Sequence, residues 1–298
     1  MRLTPIQLLV RRPEPFMTLL EAAKDGNLEE VELLLARGGI PPDAVNEALQ
    51  SASRRGHDEV VGCFLTHVGI STAAVEEALD SASCYRRDKV VKRLLEYGLA
   101  HGGISSAAVE SALHAATAED YGDNEKVVPL LLDYGLAHGG ISIAAVENSF
   151  SETSSFDHVG TSSRLLDYGL AHGGGGISIG VLEKAFGYAH SPEMIGLLLD
   201  HGRAHGGISI DAVNKALGRA HWPEMAACLL DHGRAYGGIS IDAVNKALGS
   251  ASHYGCEKTV ALLLQAGGNP TSVTRSHCAV RSMLTVSSQT PFLKNPLL

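Results

Sequence analysis

The sequence predicts an all-α protein, a helical repeat solenoid of about eight helix–turn–helix units. Three observations lead there. A long segment is copied: residues 206–218 and 237–249 both read GGISIDAVNKALG, 31 residues apart. Within one copy, Val213, Ala216, Leu217 and Ala220 recur at the i, i+3, i+4, i+7 spacing of a single buried helix face. Alternating β-branched runs, the signature of strands, do not occur. A repeat of this length cannot bury its apolar face alone, so neighbours must stack.

Weaker copies run back along the chain. An isoleucine opens each unit at Ile40, Ile70, Ile104, Ile141, Ile177, Ile208 and Ile239, and a shorter unit begins near Met17. In the unit starting at Ile208, Ser209 precedes the first helix as an N-cap, because its hydroxyl can accept an orphan backbone N–H. Asp211 in the first turn complements the helix dipole. The same position holds Ser71, Ser105, Ser142, Ser178 and Ser240, and capping accounts for all six serines. The second helix of the preceding unit opens at Ser191-Pro192-Glu193, a cap, a tolerated first-turn proline and a favourable charge. It buries Met194, Ile195, Leu198 and Leu199 and is expected to close at Gly202 in a left-handed C-cap. Gly98, Gly135, Gly169 and Gly233 recur at the same place.

Two stretches break the pattern. Residues 119–125, EDYGDNE, lengthen one turn. Residues 149–163, SFSETSSFDHVGTSS, hold eight Ser/Thr among fifteen and read as a degenerate repeat with a long loop. The division is an N-terminal segment at 1–16, a repeat domain at 17–270 and a tail at 271–298. The tail has nine Ser/Thr and no repeat pattern, and disorder is expected for it.

The stretch from Leu19 to Gly38, LLEAAKDGNLEEVELLLARG, resembles an ankyrin repeat: an Ala-rich inner helix, a glycine turn, then a Val/Leu outer helix ending in glycine. Asn27 with Glu30 supplies a variant of the capping box there. ALQSASRRGHDEVV from Ala48 and GCEKTVALLLQAGGNP from Gly255 are similar, and SALHA from Ser111 echoes the TPLHxA pattern. The resemblance covers about residues 17–270. No unit carries the full TPLH tetrapeptide, and GLAHGGIS or GRAHGGIS stands where the family has its Asp/Asn-rich hairpin. The β-fingers of that family are therefore expected to be shortened or absent.

Composition narrows the function classes. The net charge of −9 is concentrated in residues 14–199, with 27 acids against 12 bases. Such a body repels phosphate backbones, which argues against nucleic acid as partner. Cys63, Cys84, Cys228, Cys256 and Cys278 are odd in number and lack CxxC spacing, so neither a disulfide framework nor a zinc site is expected. A reducing intracellular compartment, cytoplasmic or nuclear, follows. No apolar run approaches the length of a membrane helix.

Candidate chemistry is sparse. Gly176-Ile177-Ser178-Ile179-Gly180 matches the GxSxG elbow of hydrolases, so a hydrolase or enzyme subunit using Ser178 is the alternative. That elbow needs a strand before the serine, and a glycine run precedes it instead. His101, His138, His172 and His205, with Tyr236 next, share one repeat position and read as copied turn residues. His201 and His205 form the one HxxxH pair, interrupted by Gly202, and HExxH is absent. The acids Glu96, Asp133, Asp167, Asp200 and Asp231 read as a solvated face. No metal, cofactor or nucleotide is expected.

The reading is a non-catalytic protein–protein interaction scaffold, monomeric, and gripping another protein without nucleic acid or membrane. The ankyrin resemblance implies that the first helix of each unit lines the concave face. The candidate partner-binding residues are then Glu76, Glu77, Glu110, Glu147, Glu183, Asn214, Lys215, Asn245 and Lys246. Their charge suits a basic segment in the partner.

Overall fold

The computed structural model describes residues 15–67, 70–118, 124–172, 176–204 and 207–269, excluding the side chains of 15–17 and 204. Among these residues all regular structure is helical and no strand occurs. The chain divides into two compact units, with the boundary after Ser149.

The first unit contains α1 (Pro15–Asp25), α2 (Leu28–Arg37), α3 (Pro42–Arg55), α4 (Asp58–Thr66), α5 (Thr72–Cys84), α6 (Asp88–Ala100), α7 (Ser106–Thr117) and α8 (Val127–Ala137). The boundary falls within α9 (Ile143–Ser155). Odd and even helices pair within each repeat: α1 with α2, α3 with α4, α5 with α6, α7 with α8. Odd helices also pack on odd, from α1 to α3 to α5 to α7, and even on even, from α2 to α4 to α6 to α8. The second unit contains α10 (Val159–His172), α11 (Ile179–Tyr188), α12 (Pro192–Ala204), α13 (Ile210–Leu217), α14 (Pro223–Ala235), α15 (Ile241–His253) and α16 (Glu257–Gln265). It follows the same scheme: α11 packs on α13 and α13 on α15, while α10, α12, α14 and α16 pack in series.

The buried faces follow the sequence spacing. Val213, Ala216 and Leu217 are fully buried, as are Ala48, Leu49 and Ala52 of α3 and Val90, Val91 and Leu94 of α6. Small residues on the odd helices let backbones approach closely, and branched residues on the even helices fill the layer between them.

Capping is largely as the serines predict. Ser71, Ser105, Ser142, Ser209 and Ser240 each accept the N–H of the residue three positions on, at 3.2–3.3 Å. Asn27 caps α2 through Glu30 N–H, and Ser191 caps α12 through Met194 N–H, both at 3.2 Å. Ser178 departs from the prediction. It has the same extended backbone at the N-cap, but its side chain makes no cap hydrogen bond. The N–H of Val181 donates to the Ser178 carbonyl at 3.0 Å instead, a tighter turn that uses up the donor.

The predicted C-caps are corrected. Gly98, Gly135, Gly169, Gly202 and Gly233 lie inside α6, α8, α10, α12 and α14, which run on for two or three more residues. The left-handed residues come later, at Gly102, Gly139 and Gly237, with φ of +105°, +116° and +119°. Gly103, Gly140, Gly207 and Gly238 then return their N–H groups to the carbonyls of Gly98, Gly135, Gly202 and Gly233 at 2.7–2.8 Å. This is the six-to-one bond of a Schellman closure. The interior glycines have another reason. A Cβ at Gly98 would stand 2.5 Å from Cγ1 of Ile104, and one at Gly202 would stand 2.9 Å from Cγ1 of Ile208. The glycine is the seat on which the isoleucine opening the next repeat packs.

The expected long loop at 149–163 is also corrected. Residues 149–155 belong to α9, residues 159–163 belong to α10, and Phe156, Asp157 and His158 make the turn. Hydroxyls replace apolar groups in this core; Thr153 and Ser162 satisfy their donors locally, whereas the buried Ser149 Oγ has no hydrogen-bond partner among the described residues. Thr153 Oγ1 donates to the Phe150 carbonyl at 3.2 Å, Ser162 Oγ donates to Thr153 Oγ1 at 3.0 Å, and both residues are fully buried. Such local bonding lets Ser and Thr sit in a helix. Asp157 takes φ +56° where Gly26, Gly56 and Gly255 stand in other turns, a conformation that Asp tolerates better than most residues. Of residues 119–125, only Asn124 and Glu125 lie within the described residues. The tail from 271 lies outside them.

Candidate interaction surface

Aligning the odd helices on their buried valine or leucine gives two adjacent columns. The residue after Val45, Val75, Val109, Val146, Leu182, Val213 and Val244 is Asn46, Glu76, Glu110, Glu147, Glu183, Asn214 or Asn245, and each is half-buried. Most of these side chains bind the next repeat. Glu76 Oε1 accepts the Ser105 N–H at 2.9 Å, Glu110 Oε1 accepts that of Ser142 at 2.7 Å, and Glu183 Oε1 accepts that of Ser209 at 2.9 Å. Asn214 Oδ1 accepts the Ser240 N–H at 3.1 Å, and Asn245 Oδ1 accepts that of Asn269 at 2.7 Å. Four of these bonds satisfy the backbone N–H of a serine just outside a helix start, where no helical carbonyl is available, and the fifth satisfies that of Asn269 beyond the end of α16.

The second column lies one residue on: Glu47, Glu77, Ser111, Asn148, Lys184, Lys215 and Lys246, all exposed. Its charge passes from acid in the first unit to base in the second. Of the nine residues that the sequence proposes, Glu77, Lys215 and Lys246 therefore face solvent. Glu76, Glu110, Glu183, Asn214 and Asn245 spend an oxygen on stacking, and Glu147 stands in that same half-buried column.

Each unit carries a hollow on its odd helices. In the first unit it measures about 340 Å³ and is lined by Glu76, Glu77, Asp80, Ser111 and neighbours from α3, α5 and α7, with three carboxylates and no base. Asp80 accepts a hydrogen bond from Ser111 Oγ at 2.7 Å across two repeats. In the second unit the hollow measures about 710 Å³. It gathers Lys184, Lys215, Arg219 and Lys246 with Glu183 and Asp211. The structure thus adds Asp80, Lys184 and Arg219 to the residues proposed from sequence. Column alignment on the buried valine is the signal that finds Lys184. Arg219 becomes visible only when α11 and α13 are placed side by side.

The other candidate groups have structural settings. Ser178 is exposed at the start of α11, and no strand occurs among the described residues to form an elbow before it. The histidine ladder is an aromatic one. His101 stacks on Tyr97 with ring centroids 3.9 Å apart, His138 on Tyr134 at 4.5 Å and His172 on Tyr168 at 4.4 Å. His101 and His138 also place Nδ1 2.9 Å from the carbonyl four residues earlier, satisfying the end of the helix. His232 and Tyr236 make the same stack with the residue types exchanged, at 4.5 Å. His205 lies outside the described residues, and Gly202 is within α12, so it does not end the helix between His201 and His205.

Burial raises the Cys63 thiol above its ordinary range, with Glu32 adding to the effect. Burial likewise raises Cys228, helped by Asp200 and Asp231 against Arg203. Neither has the lowered pKa of an activated nucleophile. His57 Nε2 lies 2.9 Å from the Lys24 carbonyl, binding one turn to the previous one. Arg87 Nε does the same to the Arg54 carbonyl at 3.0 Å. No group of three metal-ligating side chains occurs among the described residues, and no described helix is long and apolar enough to cross a membrane. No protein-family model matches this chain, and comparison with curated proteins found no relative.

Proposed function

We propose that this chain is an ankyrin-like solenoid that serves as a non-catalytic scaffold, holding another protein against the faces of its odd helices. The observation that carries the reading is the contrast between the two columns. The half-buried column keeps a Glu or Asn acceptor in repeat after repeat because stacking uses it. The exposed column beside it changes from Glu47 and Glu77 to Lys184, Lys215 and Lys246, although stacking makes no demand on its charge. Residues that repeat serve the stack, and residues that vary on the same face are available to a partner.

In the first unit the partner chemistry is basic, since Glu77 and Asp80 line a hollow whose lining includes no basic side chain. Exposed charges of this kind steer association and set its salt dependence more than they set affinity. On this reading the protein acts as a monomer in an intracellular compartment. The test is charge reversal at the exposed positions, Glu47→Lys with Glu77→Lys, which leaves the Glu76 and Glu110 bonds intact. Association of a Lys/Arg-rich peptide with the full chain is expected to weaken about tenfold at low salt. Equal affinity for the variant and the natural chain would place the binding surface elsewhere.

A further inference from the structure

We propose that the hollow formed by α11, α13 and α15 is a second docking site of opposite chemistry, one that receives an extended acidic segment of a partner protein. Four cations converge there. Lys184, Lys215 and Lys246 occupy one register of consecutive repeats and are exposed. Arg219 is held in place by donating from Nη1 to the Gly187 carbonyl. Its guanidinium keeps further N–H groups to offer, and a positioned fork suits a carboxylate. Of the two acids at the hollow, Glu183 has an oxygen committed to the Ser209 amide. A net positive hollow thus stands in a chain of net charge −9.

The glycines give an independent observation. Gly187, Gly218 and Gly249 share one register of the odd helices, where the first unit has Gln50, Asp80 and His114. Glycine within a helix costs about 1 kcal/mol relative to alanine. At Gly98 and Gly202 the packing of an isoleucine accounts for that cost. At Gly187 and Gly249, and at Gly180 on the hollow's edge, an added Cβ would meet nothing within 4 Å. Gly218, just past α13, differs, since a Cβ there would stand 3.4 Å from Lys246 Cδ. Stacking leaves Gly180, Gly187 and Gly249 open, and Gly180 and Gly187 line the hollow, so what the missing side chains provide is room for a ligand's backbone beside the helices. A segment crossing three helices spaced ~8–10 Å apart spans about 20 Å, or roughly six extended residues. Acidic side chains on alternate residues of such a segment fall within reach of the lysine column. A peptide fits better than a nucleic acid, because Glu183 and Asp211 stand among the cations and oppose a continuous row of phosphates.

The experiment titrates a fluorescein-labelled peptide of alternating glutamate and glycine with the full chain and reads anisotropy. Saturable binding is expected, weakening as salt rises and about tenfold weaker in Lys215→Glu with Lys246→Glu. Gly187→Leu with Gly249→Leu keeps every charge and adds helix propensity. It should also weaken binding about tenfold while its melting temperature does not fall. Glu47→Lys with Glu77→Lys should not weaken binding of this peptide, which separates this site from the acidic face of the first unit. Three results would overturn the proposal: no saturable binding at low salt, full affinity in the glycine variant, or tighter binding of a single-stranded oligonucleotide of equal charge.

Discussion

The backbone N–H of Ser142 donates to Oε1 of Glu110 at 2.7 Å, while the hydroxyl of the same serine accepts the N–H of Ala145 at 3.3 Å. One residue thereby starts its own helix and ties that helix to the repeat before it. Ser105 with Glu76, Ser209 with Glu183 and Ser240 with Asn214 reproduce the arrangement. Replacing Glu110 by alanine should leave the serine N–H unmatched and cost about 1 kcal/mol, whereas Glu110→Gln, whose amide oxygen still accepts, should cost less than half of that. Urea midpoints of the two variants check the order, and equal values would remove the bond from the account of stacking.

The caps make a sharper comparison. Ser209→Ala and Ser240→Ala should each lower stability by about 1 kcal/mol, the usual cost of losing an N-cap. Ser178→Ala should fall within about 0.5 kcal/mol of the natural chain, because the N–H of Val181 is already bonded to the backbone carbonyl. Chemical denaturation of the three variants side by side distinguishes a cap by position from a cap by bond.

One substitution should act with opposite sign at two helical glycines. Gly187→Ala gains helix propensity with nothing in the way and should stabilise by roughly 0.5–1 kcal/mol. Gly98→Ala drives a methyl to within 2.5 Å of Ile104 Cγ1 and should destabilise by about 1–3 kcal/mol, the range for overpacked cores. Melting temperatures that rise for both would mean that the isoleucine does not seat on the glycine.

His232 sets an acid limit on stability. It is almost completely buried, with neither ring nitrogen hydrogen-bonded. Burial holds its pKa below the ordinary 6.5, Arg203 pushes the same way, and Asp200 opposes them. As pH falls, the unfolded chain takes up this proton first. The contribution is therefore complete above 6.5 and is lost on acidification through that value. His232→Phe keeps the stack on Tyr236 without a titrating group. It should flatten the fall in stability between about pH 7 and pH 5 relative to the natural chain, and parallel pH profiles would contradict this.

The repeat, the helix pairs, the buried faces and five of six serine caps were legible because each depends on local spacing. Helix ends were not. Gly98 and Gly102 look alike in a sequence, yet one is a contact with an isoleucine six residues on and the other a left-handed turn. The serine-rich stretch misled in the same way: Thr153 and Ser162 read as loop residues until their hydroxyls are seen bonded to each other in a helix pair. At the candidate surface, the spacing set the unburied positions of the odd helices apart from the core but could not separate Glu76 from Glu77. They are adjacent and chemically identical, and only the position of Ser105 shows which of them is engaged in stacking.

The most direct test of the scaffold reading is site-specific photo-crosslinking in native cells. A photoreactive phenylalanine replaces exposed Glu77 on α5, exposed Lys215 on α13 or, as the comparison, exposed Lys92 on the even helix α6. The account predicts covalent adducts with another protein at Glu77 or Lys215, diminished when Glu47 or Lys246 is charge-reversed, and none at Lys92. Adducts confined to Lys92 would contradict it.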